Sequence, residues 1–223
     1  MHATPGPPGP RARRIGIASR PSCTLSVVDS VCVFCGSSPG ARPAYRDSAV
    51  ALGELLAARS IRLVYGGGHV GLMGILADAA LAAGGDVVGV ITEGLQAREV
   101  GHTALPDLRV VPTMHERKAL MASLSDAFVA LPGGAGTLDE FFEAWTWTQL
   151  GIHRKPVGLL NVDRYYEALL AFVERAQADR FIRPEHVSAL VVDDDPGRLL
   201  ERLADAFPVR SDKWLDRGAP PRP

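Results

Sequence analysis

From Val31 onward the sequence alternates between short, mostly apolar runs and longer helix-length stretches, and this alternation leaves the chain few folds to choose from. The apolar runs are Val31–Phe34, Arg62–Tyr65, Val87–Ile91, Leu108–Val111, Ala127–Leu131, Val157–Leu160 and Leu190–Val192. Between them lie helix candidates at Ala44–Ala58, Gly71–Ala83, Met114–Leu124, Leu138–Leu150, Tyr165–Ala178 and Pro196–Ala206. Apolar residues in continuous runs, rather than at every second position, mark strands buried on both faces. With a helix between each pair, this predicts an α/β fold: a doubly wound, Rossmann-like parallel sheet with helices on both faces. Ligands of such sheets bind beyond the C-terminal strand ends, where the strand order reverses. That rule selects four loops: Gly36–Pro39, Gly66–Gly71, Pro112–Arg117 and Pro132–Thr137.

A chain of 223 residues fits one domain with a sizeable core. The predicted division is an extension at 1–28, one Rossmann-like domain at 29–210 and a flexible tail at 211–223. The extension carries Arg11, Arg13, Arg14 and Arg20 among Pro and Gly. It has neither an acid nor the apolar centre of a secretory signal. A net charge of −1 supplies no field for nucleic acid or a membrane surface, and no apolar run reaches membrane-spanning length. Cys32 and Cys35 form a Cys-x-x-Cys, but no second pair exists to complete a zinc site. The motif lies across a strand end rather than at a helix start, so buried structural thiols and a reducing, cytoplasmic setting are expected.

Each of the four loops has a plain and a functional reading. Gly36-Ser37-Ser38 is ordinary turn chemistry, or a small-residue loop whose Ser37 hydroxyl can donate to a ligand. Tyr65-Gly66-Gly67-Gly68-His69-Val70-Gly71 contains a Gly-x-Gly-x-x-Gly between strand and helix, with Glu93 after the next strand. This is the context of a dinucleotide fingerprint. Three consecutive glycines exceed what a turn requires, which favours ligand contact. Thr113 and Glu116 have capping-box spacing, so a helix starts there. Arg117 and Lys118 then fall in its first turns, where the helix dipole disfavours cations, which suggests a bound anion or a carboxylate.

The fourth loop is the richest. Ala127–Leu131 reads as a strand, Pro132-Gly133-Gly134-Ala135-Gly136 as a turn, and Thr137-Leu138-Asp139-Glu140 as a helix start. Such a junction aims backbone N–H groups at an anion, and Glu140 places a carboxylate beside them. Thr137 and Glu140 also fit a capping box, in which case Glu140 only ties down its own helix. The helix that follows, through Phe141, Phe142, Trp145 and Trp147, is too apolar for a solvated surface. It is expected to bury against the sheet and against a second subunit.

Pro132-Gly133-Gly134-Ala135-Gly136-Thr137-Leu138-Asp139-Glu140 resembles the Pro-Gly-Gly-x-Gly-Thr-x-x-Glu signature of the LONELY GUY (LOG) family, cytokinin-activating phosphoribohydrolases often labelled "lysine decarboxylase". Met114–Lys118, Thr146–Gly151, Val64–Gly68 with Gly71–Gly74, and Lys155–Asn161 are similar to further family blocks. The likeness runs in order from about Val31 to about Ala206. It implies a homodimer that cleaves the N-glycosidic bond of N6-modified adenosine 5′-monophosphates, and of AMP, to free base and ribose 5-phosphate, with no cofactor and no metal. Carried over position by position, Arg117 and Glu140 match the catalytic pair. Glu99, Lys118, Gly134, Ala135, Gly136, Thr137 and Thr146 match nucleotide contacts. Gly67, Gly68, Gly71, Met73 and Ser37 complete the expected substrate contacts.

Departure of the base leaves an oxocarbenium-like sugar cation. Glu140 is suited to stabilising that cation and activating water, while a permanently charged Arg117 suits orientation rather than proton donation. Three rivals remain. A pyridoxal-phosphate decarboxylase needs a Schiff-base lysine, and the chain has only Lys118, Lys155 and Lys213. A dinucleotide oxidoreductase would use the Gly66–Gly71 loop but has no role for Glu140. A nucleotide-binding carrier would need no Arg117–Glu140 pair.

Overall fold

All seven apolar runs become strands, with ends shifted by at most a residue. The computed structural model describes residues 28–98 and 101–206. The expected extension, apart from Val28, and the expected tail lie outside the described residues, as do Cys23 and Glu99. The strands are β1 (Ser30–Phe34), β2 (Arg62–Tyr65), β3 (Val87–Thr92), β4 (Asp107–Val111), β5 (Ala127–Ala130), β6 (Val157–Leu160) and β7 (Leu190–Asp193). They form one sheet in the order β4-β3-β2-β1-β5-β6-β7, and every pairing is parallel.

The helices are α1 (Pro43–Ala58), α2 (Gly71–Ala82), α3 (Glu93–Gln96), α4 (Met114–Ser123), α5 (Ala135–Gln149), α6 (Glu167–Ala178), α7 (Pro184–Ser188) and α8 (Pro196–Ala204). Proline opens α1, α7 and α8, where its missing N–H costs nothing and its φ is already helical. Asp195 caps α8 by accepting from the Arg198 N–H at 2.8 Å. The short helices α3 and α7 were not among the helices expected from periodicity, because neither is long enough to show any.

Side chains of β1 alternate between two cores. Val31, Val33 and Cys35 pack with α1, α2 and α8, for example against Leu52, Leu76 and Leu199. Cys32 and Phe34 pack with α4, α5 and α6, for example against Met121, Phe141 and Val173. The two thiols of the Cys-x-x-Cys therefore face opposite sides of the sheet, both buried and both free. A strand separates residues three apart in this way, and the motif cannot act as a dithiol.

Strand β1 sits at the centre, with Val33 in register with Tyr65 on one side and Val129 on the other. The chain builds outward from β1 to β4, then returns to place β5 beside β1. The strand order reverses there, and the crevice between the carboxyl ends of β1 and β5 is where this topology leaves room for a ligand.

Two helix starts differ from expectation by more than one residue. Helix α5 begins at Ala135, three residues before the expected Leu138, with Gly134 as its N-cap and no side-chain cap. Helix α6 begins at Glu167 rather than Tyr165. A 3₁₀ turn at Val162–Arg164 precedes it, and Asp163 and Arg164 sit at positive φ.

Candidate active site

The N-terminus of α4 delivers the first component. Thr113 caps this helix, its hydroxyl accepting from the Glu116 N–H at 3.2 Å, as the Thr-x-x-Glu spacing indicates. One residue further, Arg117 turns inward and is only 5% exposed. Its Nε donates to the Val90 carbonyl at 2.8 Å and one terminal nitrogen to the Gly66 carbonyl at 3.2 Å. The other terminal nitrogen donates to Glu140 Oε1 at 2.8 Å. Two carbonyls and one carboxylate thus fix the guanidinium in orientation, which suits a rigid fork of donors. The cation that looked misplaced at a helix N-terminus is there for a carboxylate.

Helix α5 supplies that carboxylate. Because α5 starts at Ala135, Thr137 lies inside its first turn and cannot be the N-cap, so the capping-box reading of Thr137 and Glu140 is overturned. The Thr137 side chain is buried against Gly133, where an added Cβ would come within 2.1 Å of its hydroxyl. Glu140 turns toward Arg117, its side chain 12% exposed. Burial raises the pKa of its carboxyl, against the opposing pull of the Arg117 charge and hydrogen bond. A carboxylate held this way can accept a proton more readily than one in water.

A cleft of about 290 Å³ opens beside this pair. Of the residues expected at the site, Arg117, Glu140, Ser37 and Met73 line it, and so do Gly134, Ala135, Gly136 and Thr137 at the start of α5. Among the described residues, no acceptor takes the N–H groups of those last four. They carry the positive end of the α5 dipole into the cleft. Cys35, Met114 and Asp139 line it too and were not among the expected contacts. Asp139 neighbours the expected Glu140, Met114 lies one helical turn before the expected Arg117, and Cys35 directly precedes the selected loop at Gly36.

Other expected contacts lie elsewhere. Lys118 pairs with Glu143 at 2.8 Å and Asp139 at 3.2 Å, bracing α4 against α5 beside the Arg117–Glu140 pair. Thr146 is exposed on α5 and lines no part of the cleft. Glu99 lies outside the described residues.

The glycines of the β2–α2 loop meet protein. A Cβ on Gly66 would lie 2.1 Å from the Arg117 guanidinium, and one on Gly71 would lie 2.2 Å from the Ser37 carbonyl carbon. Gly67, at φ +70°, packs on Val90, Ile91 and Leu108, and Gly68 bridges to Gly101. The Leu72 N–H, in the first turn of α2, donates to the Gly36 carbonyl at 3.0 Å. The close approach these glycines allow is therefore used by Arg117 and by the β1–α1 loop. Glu93 is exposed in the first turn of α3.

A family model described as possible lysine decarboxylase matches residues 73–203. A probable cytokinin riboside 5′-monophosphate phosphoribohydrolase of Oryza sativa subsp. japonica, LOGL9, is 56% identical over 179 residues, covering 80% of this chain and 79% of its own. The cytokinin riboside 5′-monophosphate phosphoribohydrolase LOG1 of Arabidopsis thaliana is 48% identical over 178 residues, covering 80% and 84%. Among solved structures, a molybdenum cofactor binding protein of Rippkaea orientalis superposes with a TM-score of 0.60 at 24% identity, covering 81% of this chain and 98% of its own. At that identity the likeness is one of fold alone.

Proposed function

The chain belongs to the LOG family of phosphoribohydrolases, whose family model carries the description of possible lysine decarboxylase, and we propose that it hydrolyses the N-glycosidic bond of N6-modified adenosine 5′-monophosphates and of AMP. The carrying observation is the buried Arg117–Glu140 pair at 2.8 Å, in the wall of a cleft whose other wall is the uncapped start of α5.

The 5′-phosphate rests on the N–H groups of Gly134 to Thr137, where the helix dipole adds to the hydrogen bonds. This places the ribose toward Glu140. As the C1′–N9 bond breaks, its electron pair leaves with the base nitrogen, and positive charge grows on the sugar. Glu140 stabilises that charge and takes a proton from the water whose oxygen bonds to C1′; the departing base nitrogen takes up a proton from solvent, and Glu140 returns its own to solvent. Arg117 touches the reaction through Glu140, holding its carboxylate in one orientation.

The lysine chemistry in the family's description fits less well. The ion pairs of Lys118 raise its pKa, the wrong direction for a nucleophilic amine. Lys155 lies just before β6, at the opposite sheet edge, with its Nζ donating to the Ala122 carbonyl at 2.6 Å. Lys213 lies outside the described residues. The dinucleotide reading loses its support because Arg117 and the Ser37–Ser38 peptide fill the space beside the Gly66 and Gly71 turn. A pure carrier has no use for a carboxylate oriented by a buried arginine.

We further propose a cytoplasmic homodimer. The free buried thiols support a reducing compartment, and Ile152, 64% exposed just beyond α5, supports a partner on that flank. The deciding experiment incubates the protein with AMP, isopentenyladenosine monophosphate and the matching riboside. Free base from the monophosphates alone is expected. Equal release from the riboside would remove the phosphate site from the mechanism, and no release would remove the hydrolase reading.

A further inference from the structure

The turn that leads into α5 is held from outside the catalytic cleft. Three successive carbonyls each have their own donor. The Leu131 carbonyl accepts from the Tyr166 hydroxyl, the Pro132 carbonyl from the Gly36 N–H at 3.1 Å, and the Gly133 carbonyl from the Tyr165 hydroxyl at 2.6 Å. The two tyrosines are consecutive and come from the loop after β6, so a neighbouring strand's connection grips the turn after β5.

Their placement is costly in backbone terms. Asp163 and Arg164, immediately before them, both adopt positive φ although neither is glycine, and side chains with a Cβ rarely do so. The bend is fixed by Asn161, whose Oδ1 accepts from the Tyr166 N–H at 2.7 Å and whose Nδ2 donates to Glu167 at 3.0 Å. An ion pair from Arg42 of the β1–α1 loop to Asp163 ties down its outer side. The Tyr165 ring is held edge-on between Tyr45 and Tyr166, with centroids at 5.5 and 5.0 Å. The hydroxyl is therefore delivered to Gly133 by a rigid arm.

We propose that Tyr165 is a positioning residue for recognition of the substrate's phosphate. This rests on the phosphoribohydrolase reading above. A trans peptide is planar, with its C=O and N–H pointing in opposite directions, and the chain has no cis peptide among the described residues. Tyr165 and Gly133 border a second cleft next to the catalytic one, and Gly134 borders both. By holding the Gly133 carbonyl on the Tyr165 side, the hydroxyl turns the Gly134 N–H the other way, toward the catalytic cleft. No other hydrogen bond among the described residues holds that peptide: the Gly133 carbonyl has no other donor, and the Gly134 N–H has no acceptor. Two glycines joined by one peptide swing easily between orientations, so an external hold is what keeps the donor aimed.

The test compares the wild type with Tyr165→Phe, which keeps the ring and its aromatic contacts and loses only the hydroxyl. Ribose 5-phosphate binding is measured by calorimetry, and AMP kinetics and adenine inhibition by base release. In the variant, ribose 5-phosphate binding and the AMP KM should weaken about three- to tenfold, the effect of losing one hydrogen bond. The kcat and adenine inhibition should stay at wild-type values, and Tm should fall by at most about 4 °C. Unchanged ribose 5-phosphate binding would overturn the proposal. So would an equal loss of adenine and ribose 5-phosphate affinity, which marks general loosening of the site. A wild type that releases no base from AMP breaks the hydrolase reading instead, and leaves the ribose 5-phosphate comparison readable.

Discussion

The β2–α2 and β5–α5 junctions have the same plan, strand then glycine turn then helix, and opposite outcomes. At β2–α2 the glycines admit protein: Arg117 against Gly66, the Ser37–Ser38 peptide against Gly71, and the Gly36 carbonyl on the Leu72 N–H. At β5–α5 a Cβ added to Gly134 or Gly136 would meet nothing within 4 Å, and the first N–H groups of the helix face a cleft. Glycine in one junction is a packing requirement; in the other only Gly133 is one, against Thr137, while Gly134 and Gly136 keep a surface low. A glycine motif between strand and helix therefore shows that something approaches closely, but not whether that is a ligand or the protein itself.

Four outcomes would sharpen or break this contrast. The largest effect belongs to Glu140, the carboxylate that the β5–α5 helix holds beside its cleft. Glu140→Gln should lower kcat for AMP by about 10²- to 10⁴-fold while nucleotide binding holds within about threefold. Base release at more than a tenth of the wild-type rate would remove Glu140 from the chemistry.

Gly71→Ala comes next, as a test of the closed junction. Its Cβ would lie 2.2 Å from Ser37 at a φ of +61°, so urea unfolding should show a loss of about 2–4 kcal/mol. Stability within about 0.5 kcal/mol of wild type would mean that the β1–α1 loop is not wedged there. Gly136→Ala is its mirror image. With open space around the new methyl, Tm should hold or rise, since alanine favours helix over glycine by up to about 1 kcal/mol. The AMP KM should rise about tenfold, roughly 1.4 kcal/mol, because the methyl stands among the N–H donors of the cleft. A stability loss with normal KM would reverse the roles assigned to the two junctions.

The smallest effect is in pH. Burial raises the Glu140 pKa above its ordinary 4.5, so on acidification kcat/KM should fall with a midpoint above that value. The stability consequence has the opposite sign to a paired surface acid. A raised folded-state pKa means that protonation of Glu140 favours the fold, with its contribution fully present below the unfolded pKa and lost as pH rises through the folded one. Activity should therefore be lost on the acid side without any unfolding driven by this residue. A midpoint at or below 4.5 would show that Arg117 outweighs burial.

Much of this molecule was legible in one dimension. Apolar runs gave all seven strands, most of them because a strand buried on both faces has no polar side to show; β4, at the sheet edge, is only partly buried and carries Arg109. The rule that ligands lie beyond strand ends picked the loops that hold Ser37 and Arg117 and the one that leads into the helix of Glu140. The Cys-x-x-Cys was readable as structural, since strand geometry alone puts its thiols on opposite faces. Local pattern failed where one pattern serves two geometries. Thr137-Leu138-Asp139-Glu140 matches a capping box, yet Gly134 caps the helix and Glu140 turns to Arg117.

What the sequence alone determined is therefore local: which segments are strands, which turns are glycine-rich, and which helix starts carry a cation or a carboxylate. What only the tertiary structure decided is which of these meet. Arg117 reaches its partners across 23, 27 and 51 residues of chain, and Tyr165 reaches Gly133 across 32. Those distances close because β5 returns to lie between β1 and β6, and strand order leaves no trace in the periodicity of any one segment. The same return leaves one glycine junction filled by its neighbours and the other open beside the Arg117–Glu140 pair.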